Sequence, residues 1–194
     1  MSMVVMRRVA LAALTVPLVG PVAGDDRGYR AHGAHVHGVA ALNVALDGEA
    51  LYLEFLSPAV NLVGFEHAPA DAAERVLVQE AQASLSRPEV LFVLPEAAGC
   101  ELADADIETP WTPAAAGSHG APGPAAGAEA GHAGDHADVH AAYRFVCSRP
   151  GGIGALEVPL FDRFPMTRRL EVQYVVSGTQ GAAVLTPDRR RLAF

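Results

Sequence analysis

Residues 39–60, "VAALNVALDGEALYLEFLSPAV", decide the fold. Leu42, Val44 and Leu46 alternate with Ala41, Asn43 and Ala45, and Leu51, Leu53 and Phe55 alternate with Tyr52 and Glu54. A period of two is that of a strand with one buried face. Asp47-Gly48 between the two runs is a type I′ turn signal. A β-hairpin is predicted, and with it a mainly antiparallel protein.

Moving outward, "NLVGFEHAP" leaves the sheet. Residues 70–86 read as a helix. Asp71 with Glu74 resembles a capping box in which Asp replaces Ser or Thr. Val76, Leu77, Glu80, Ala81, Ser84 and Leu85 form a partial 3.6-residue stripe, and Pro88 ends it. "VLFVLPEAAGCEL" reads as a second hairpin turning at Pro95-Glu96. Residues 112–134 are Ala, Gly, Pro and His with almost no large apolar side chain, so they cannot offset their ordering entropy and are expected to be disordered. Strand patterns resume in "VHAAYRFVC", "ALEVPLF", "LEVQYVV" and "AAVLTPDRRRLAF". A weak repeat is visible: each half opens on a histidine-bearing strand and closes on a hairpin around proline, with Val78-Gln79 and Val172-Gln173 upstream. The expected fold class is therefore α+β, mainly antiparallel β. Two weakly related β-rich halves, 32–111 and 135–194, surround a pseudo-twofold within one compact domain. The first half carries the helix, and the His-containing loop separates the halves.

At the other end, "MRRVALAALTVPLVGPVAG" places Arg7 and Arg8 before an apolar stretch, Val9 to Val19, and closes on Val22 and Gly24 at the −3 and −1 positions. This is a secretory signal over residues 1–24. The stretch is short of the about 20 residues that span a bilayer. The expectation is a periplasmic chain with no membrane insertion after cleavage. The net charge of −8 argues against a nucleic-acid partner, and Arg189 to Arg191 read as a solvated turn. In an oxidising compartment the two cysteines, Cys100 and Cys147, are most simply a disulfide. The alternative is a thiolate metal site.

The candidate chemistry lies in the histidines. "AHGAHVHG" holds His32, His35 and His37. On a strand, His35 and His37 share one face with Cα atoms about 6.7 Å apart, within reach of one metal ion. If the halves are related, "DVH" repeats "HVH". His35, His37, Asp138 and His140 then converge as three nitrogens and a carboxylate, a set that suits Zn2+. His32 could close over them. His119, His132 and His136 crowd the linker beside Glu129 and Asp135, and His67 in "GFEH" is a further candidate ligand. The bland alternative is polar decoration of a strand edge. After the signal only Met166 remains, which excludes a methionine-rich Cu(I) site. There is no His-Glu-x-x-His, nucleophile elbow or phosphate loop, so no enzyme is expected. The competing readings are a zinc hydrolase, for which Glu66 is the one acid beside a candidate ligand, and a metal-free envelope interaction protein.

"HVHGVAALNVALDG", "SPAVNLVGFEHAP", "LFVLPEAAGC", "YRFVC" and "LFDRFP", in that order, resemble the ZrgA-like family of zinc-regulated periplasmic proteins. The resemblance covers nearly all of residues 32–194. It implies a periplasmic zinc-binding protein that assists zinc acquisition and homeostasis under zinc limitation, beside the periplasmic component of a zinc ABC transporter. The carry-over reaches His35, His37, His67, Asp138 and His140. It also implies a loop rich in His, Asp and Glu. This chain departs there, because its loop is mostly Ala, Gly and Pro, which shifts weight to the ordered ligands.

Overall fold

The structure, a computed structural model, describes residues 36–111 and 137–194. The expected signal segment 1–24 lies outside the described residues, as do His32 and His35. So do the whole of the expected loop, 112–134, with His119 and His132, and His136 beyond it.

The opening hairpin is present as β1 (Val39–Asp47) and β2 (Ala50–Pro58), with Asp47 opposite Ala50. The turn is therefore Gly48-Glu49, one residue later than expected. Only Gly48 has positive φ, at 58°, which matches a type II′ turn with glycine first rather than type I′. Leu42, Val44, Leu51, Leu53 and Phe55 are buried, as the alternation requires. Each contributes roughly 1.5–3 kcal/mol of hydrophobic stabilisation.

α1 (Val60–Val63) follows β2, and α2 (Ala72–Leu85) carries the expected cap. The Asp71 carboxylate accepts from the Glu74 N–H, while Glu74 accepts from the N–H of Ala70. Val78, Ala81 and Leu85 face inward, and the buried Tyr143 hydroxyl donates to the Leu85 carbonyl at 2.8 Å, which fixes α2 over the inner face of the sheet.

The second expected hairpin does not form. Residues 88–98 make two 3-10 turns, Pro88–Val90 and Glu96–Ala98, and Val93 bridges to Glu157 instead of pairing across Pro95. Leu91 and Phe92 are both buried, so the segment serves as a core plug; an alternating strand would have exposed one of them. β3 (Cys100–Glu108) then pairs with β4 (Asp138–Cys147). β5 (Ala155–Glu157) is shorter than "ALEVPLF" implied, since Pro159 opens α3 (Leu160–Arg163). β6 (Arg169–Val176) and β7 (Thr179–Leu185) form a hairpin whose turn, Ser177-Gly178, has positive φ at both residues. β8 (Arg191–Ala193) pairs with β5.

The main sheet has six strands in the order β3-β4-β2-β1-β6-β7, antiparallel except for the parallel pair β1/β6. The fold is thus mostly antiparallel β with three α-helices among the described residues. The expected halves do not stand side by side. β4, from the second stretch, lies between β3 and β2 of the first, because the strand after the linker returns beside the strand before it. Cys100 and Cys147 are cross-strand partners on that pair and are joined by a disulfide. Among the described residues no helix is long and apolar enough to cross a membrane.

Candidate metal-binding end of the sheet

The register puts the start of β1, the end of β2, the end of β3, and the starts of β4 and β6 at one end of the sheet. Ala41 lies opposite Leu56, Pro58 opposite Asp138, Glu108 opposite His140, and Val39 beside Arg169. All three histidines among the described residues, His37, His67 and His140, belong to this end. The described chain also enters here at Val36, leaves at Trp111 and resumes at Ala137, whose carbonyl accepts from the Ala59 N–H.

His37 precedes β1 in a turn closed by the bond from Val39 N–H to the Val36 carbonyl. It is therefore not on a strand, and the same-face argument for His35 and His37 does not apply to it. Gly38, at φ 84°, makes the bend into β1, a conformation glycine adopts without penalty. Its carbonyl accepts from both Arg168 and Arg169 N–H, so the turn is tied to the start of β6. The His37 Nε2 lies 3.2 Å from Glu66 Oε1, on the loop after α1. A tetrahedral zinc site with bonds near 2.0–2.1 Å has donor–donor edges of about 3.3 Å, so this pair has the spacing of two zinc ligands. It is also the spacing of an ordinary hydrogen bond; His37 is 67% exposed and Glu66 26%, and such surface pairs add about 0–1 kcal/mol.

His67 is exposed and its Nε2 is 3.8 Å from Glu74 Oε1. Its ring stacks on Phe65 at 4.9 Å, and the Trp111 indole N–H donates to its carbonyl. Phe65 is partly buried against the core and also backs this exposed imidazole. Tyr143, Phe145, Phe161 and Phe164 are buried.

On β4, Asp138 and His140 share the outer face, as a two-residue spacing on a strand requires. His140 Nε2 lies 2.9 Å from Glu54 Oε1 on β2, and its Nδ1 lies 3.9 Å from Glu108 Oε2 on β3. Asn43 donates to the other oxygen of Glu54 at 2.9 Å. That bond first, and His140 second, hold the Glu54 carboxyl below its ordinary value. Glu54 and Glu108 approach opposite ring nitrogens, so they flank the imidazole rather than chelating with it.

The structure does not bring His37 and His140 together. β2 lies between β1, which His37 precedes, and β4, which carries His140, and places those strands about 10 Å apart; His37 faces Glu66, and His140 faces Glu54 and Glu108. Among the described residues no group of three or more His, Cys, Asp or Glu side chains is arranged to hold a metal ion. What the end of the sheet presents is a set of histidine–glutamate pairs. Glu54, Glu66, Glu74 and Glu108 were not among the expected site residues in these roles.

Residues 34–194 match the family described as ZrgA family zinc uptake protein. The chain belongs to the ZrgA family. No curated protein matches it. The ZrgA match spans both described segments and the linker, and it ties the chain to zinc uptake. The ZrgA family is described by uptake and not by an enzyme class.

Proposed function

We propose that this chain is a periplasmic zinc-binding protein, exported by residues 1–24, that captures zinc during scarcity and passes it toward the periplasmic component of a zinc ABC transporter. One observation carries the reading. Each described histidine presents its Nε2 to a glutamate, at 3.2, 3.8 and 2.9 Å, at the end of the sheet that the His-bearing arm and linker join. His37 and Glu66 supply two corners of the tight site, and His35, two residues upstream, supplies a third. Asp138, His140 and His67, with His136, His132, His119 and His32, are the further ligands that hold zinc in transit. An imidazole beside a carboxylate is suited to this, because the carboxylate can orient the ring or bind the ion with it.

Zinc titration of the mature protein by calorimetry tests the reading. The double variant His37→Ala with Glu66→Ala is expected to weaken the tightest binding at least about tenfold, while His119→Ala with His132→Ala leaves it nearly intact. Equal losses from the two pairs would move the site to the linker. No zinc binding at all would favour the metal-free interaction protein, and a zinc-loaded form that hydrolyses ester substrates would favour the hydrolase.

A further inference from the structure

We propose that Asn61 is a positioning residue for zinc, setting the separation of His37 and Glu66 by bonding the turn that carries one to the helix that leads to the other. The inference rests on the reading of His37 and Glu66 as ligands.

Asn61 lies on α1 and is 1% exposed. Its Oδ1 accepts from the Gly38 N–H at 2.6 Å, and its Nδ2 donates to the Val39 carbonyl at 2.9 Å and to Ser57 Oγ at 3.1 Å. A buried amide with its bonds made is rigid, and it is costly to displace because displacement strands polar groups away from water. Gly38 and Val39 directly follow His37. On the other side, α1 ends two residues after Asn61 at Val63, Gly64 turns the chain in the left-handed region at φ 90°, and Glu66 follows. The two donor groups thus sit on short, stiff tethers from one side chain. His37 is 67% exposed and Glu66 26%, so the packing around the histidine does little to fix the 3.2 Å between them. With Gly38 also held through its carbonyl by Arg168 and Arg169, the turn has bonds on both sides, and Asn61 is the one that reaches the Glu66 element. The stretch "SPAVNLVGFEH" then has a physical reason to be read as a unit: Ser57 supports Asn61, Asn61 places the His37 turn, and Glu66 answers it.

The test is a double-mutant cycle on zinc affinity, with Tm recorded for every variant. Asn61→Ala is expected to weaken zinc binding about tenfold in the parent chain, and to have no further effect in a His37→Ala background. Ser57→Ala removes one of Asn61's three bonds, together with the Ser57 hydroxyl's own bond to the Pro58 carbonyl, and leaves both backbone bonds of Asn61 in place. It keeps the test decisive if Asn61→Ala does not fold, and is expected to give a smaller loss that also vanishes with His37→Ala. A merely structural Asn61 lowers Tm and leaves the affinity of the folded protein unchanged, or weakens zinc equally in both backgrounds. Either result overturns the proposal while leaving His37 as a ligand. If His37→Ala alone leaves affinity unchanged, the ligand reading fails, and this inference with it.

Discussion

Glu54 shows how a residue's environment sets its chemistry on an otherwise open sheet face. One oxygen takes a hydrogen bond from Asn43 and the other faces His140, and both favour the ionised form. A carboxyl whose folded pKa lies below its ordinary 4.5 adds stability above that value and loses it as the pH falls through the folded pKa. Glu54→Gln is therefore expected to lower Tm near neutral pH and to match the parent in acid. The group is 46% exposed, so water screens the effect and a difference of about 2 °C is expected. Thermal unfolding from about pH 3 to about pH 7 reads it, and a pH-independent difference would rule out the ionised pair as its source. The histidines were legible as residue types in the sequence, but their partners were not. Glu54 reads there as the polar half of an alternation. Glu66 adjoins His67 in sequence yet faces His37 in space, because the chain bends at Gly64 and Asn61 draws the start of β1 toward it.

At the scale of elements, legibility followed local signals. Period-two alternation identified β1, β2, β4 and β6, and the Asp71–Glu74 cap identified α2, because those patterns are produced by burial and hydrogen bonds within the element. The segment around Pro95 was misread because its apolar residues pack into a core that other elements complete; Val93 pairs with Glu157, far along the chain. The order β3-β4-β2-β1-β6-β7 was not legible either, since register between distant strands is fixed by mutual packing and leaves no pattern in either strand alone. The β3/β4 pair carries a consequence. Its strands are joined through the long linker at one end and by Cys100–Cys147, separated by 47 residues, at the other. Closing a loop of that length in the unfolded chain is worth roughly 4 kcal/mol in the loop-entropy model. Reduction, or Cys100→Ser with Cys147→Ser, is expected to lower stability by about that amount, measured by urea unfolding with and without reductant. An unchanged midpoint would show that strand pairing alone holds the edge.

For the whole molecule, the topology separates what folds from what the linker adds. Glu108 and His140 are direct cross-strand partners, so residues 109–139 are formally a hairpin connection, however many residues they contain. Its two ends are anchored independently: Trp111 by its indole bond to the His67 carbonyl, and Ala137 by its carbonyl to the Ala59 N–H. A hairpin connection needs only a few residues. Deleting 115–133 therefore leaves enough chain to close the pair, and a shorter loop costs slightly less entropy to close. The deletion variant is expected to keep or slightly raise Tm, keep the disulfide, and retain the tightest zinc site at His37 and Glu66 while losing the capacity that His119 and His132 supply. Zinc stoichiometry by calorimetry, alongside thermal unfolding, checks both halves of this expectation. A variant that folds with unchanged Tm but binds no zinc would assign capture to the linker and leave the histidine–glutamate pairs as surface polar contacts. A variant that loses cooperative unfolding would show that linker residues complete the core.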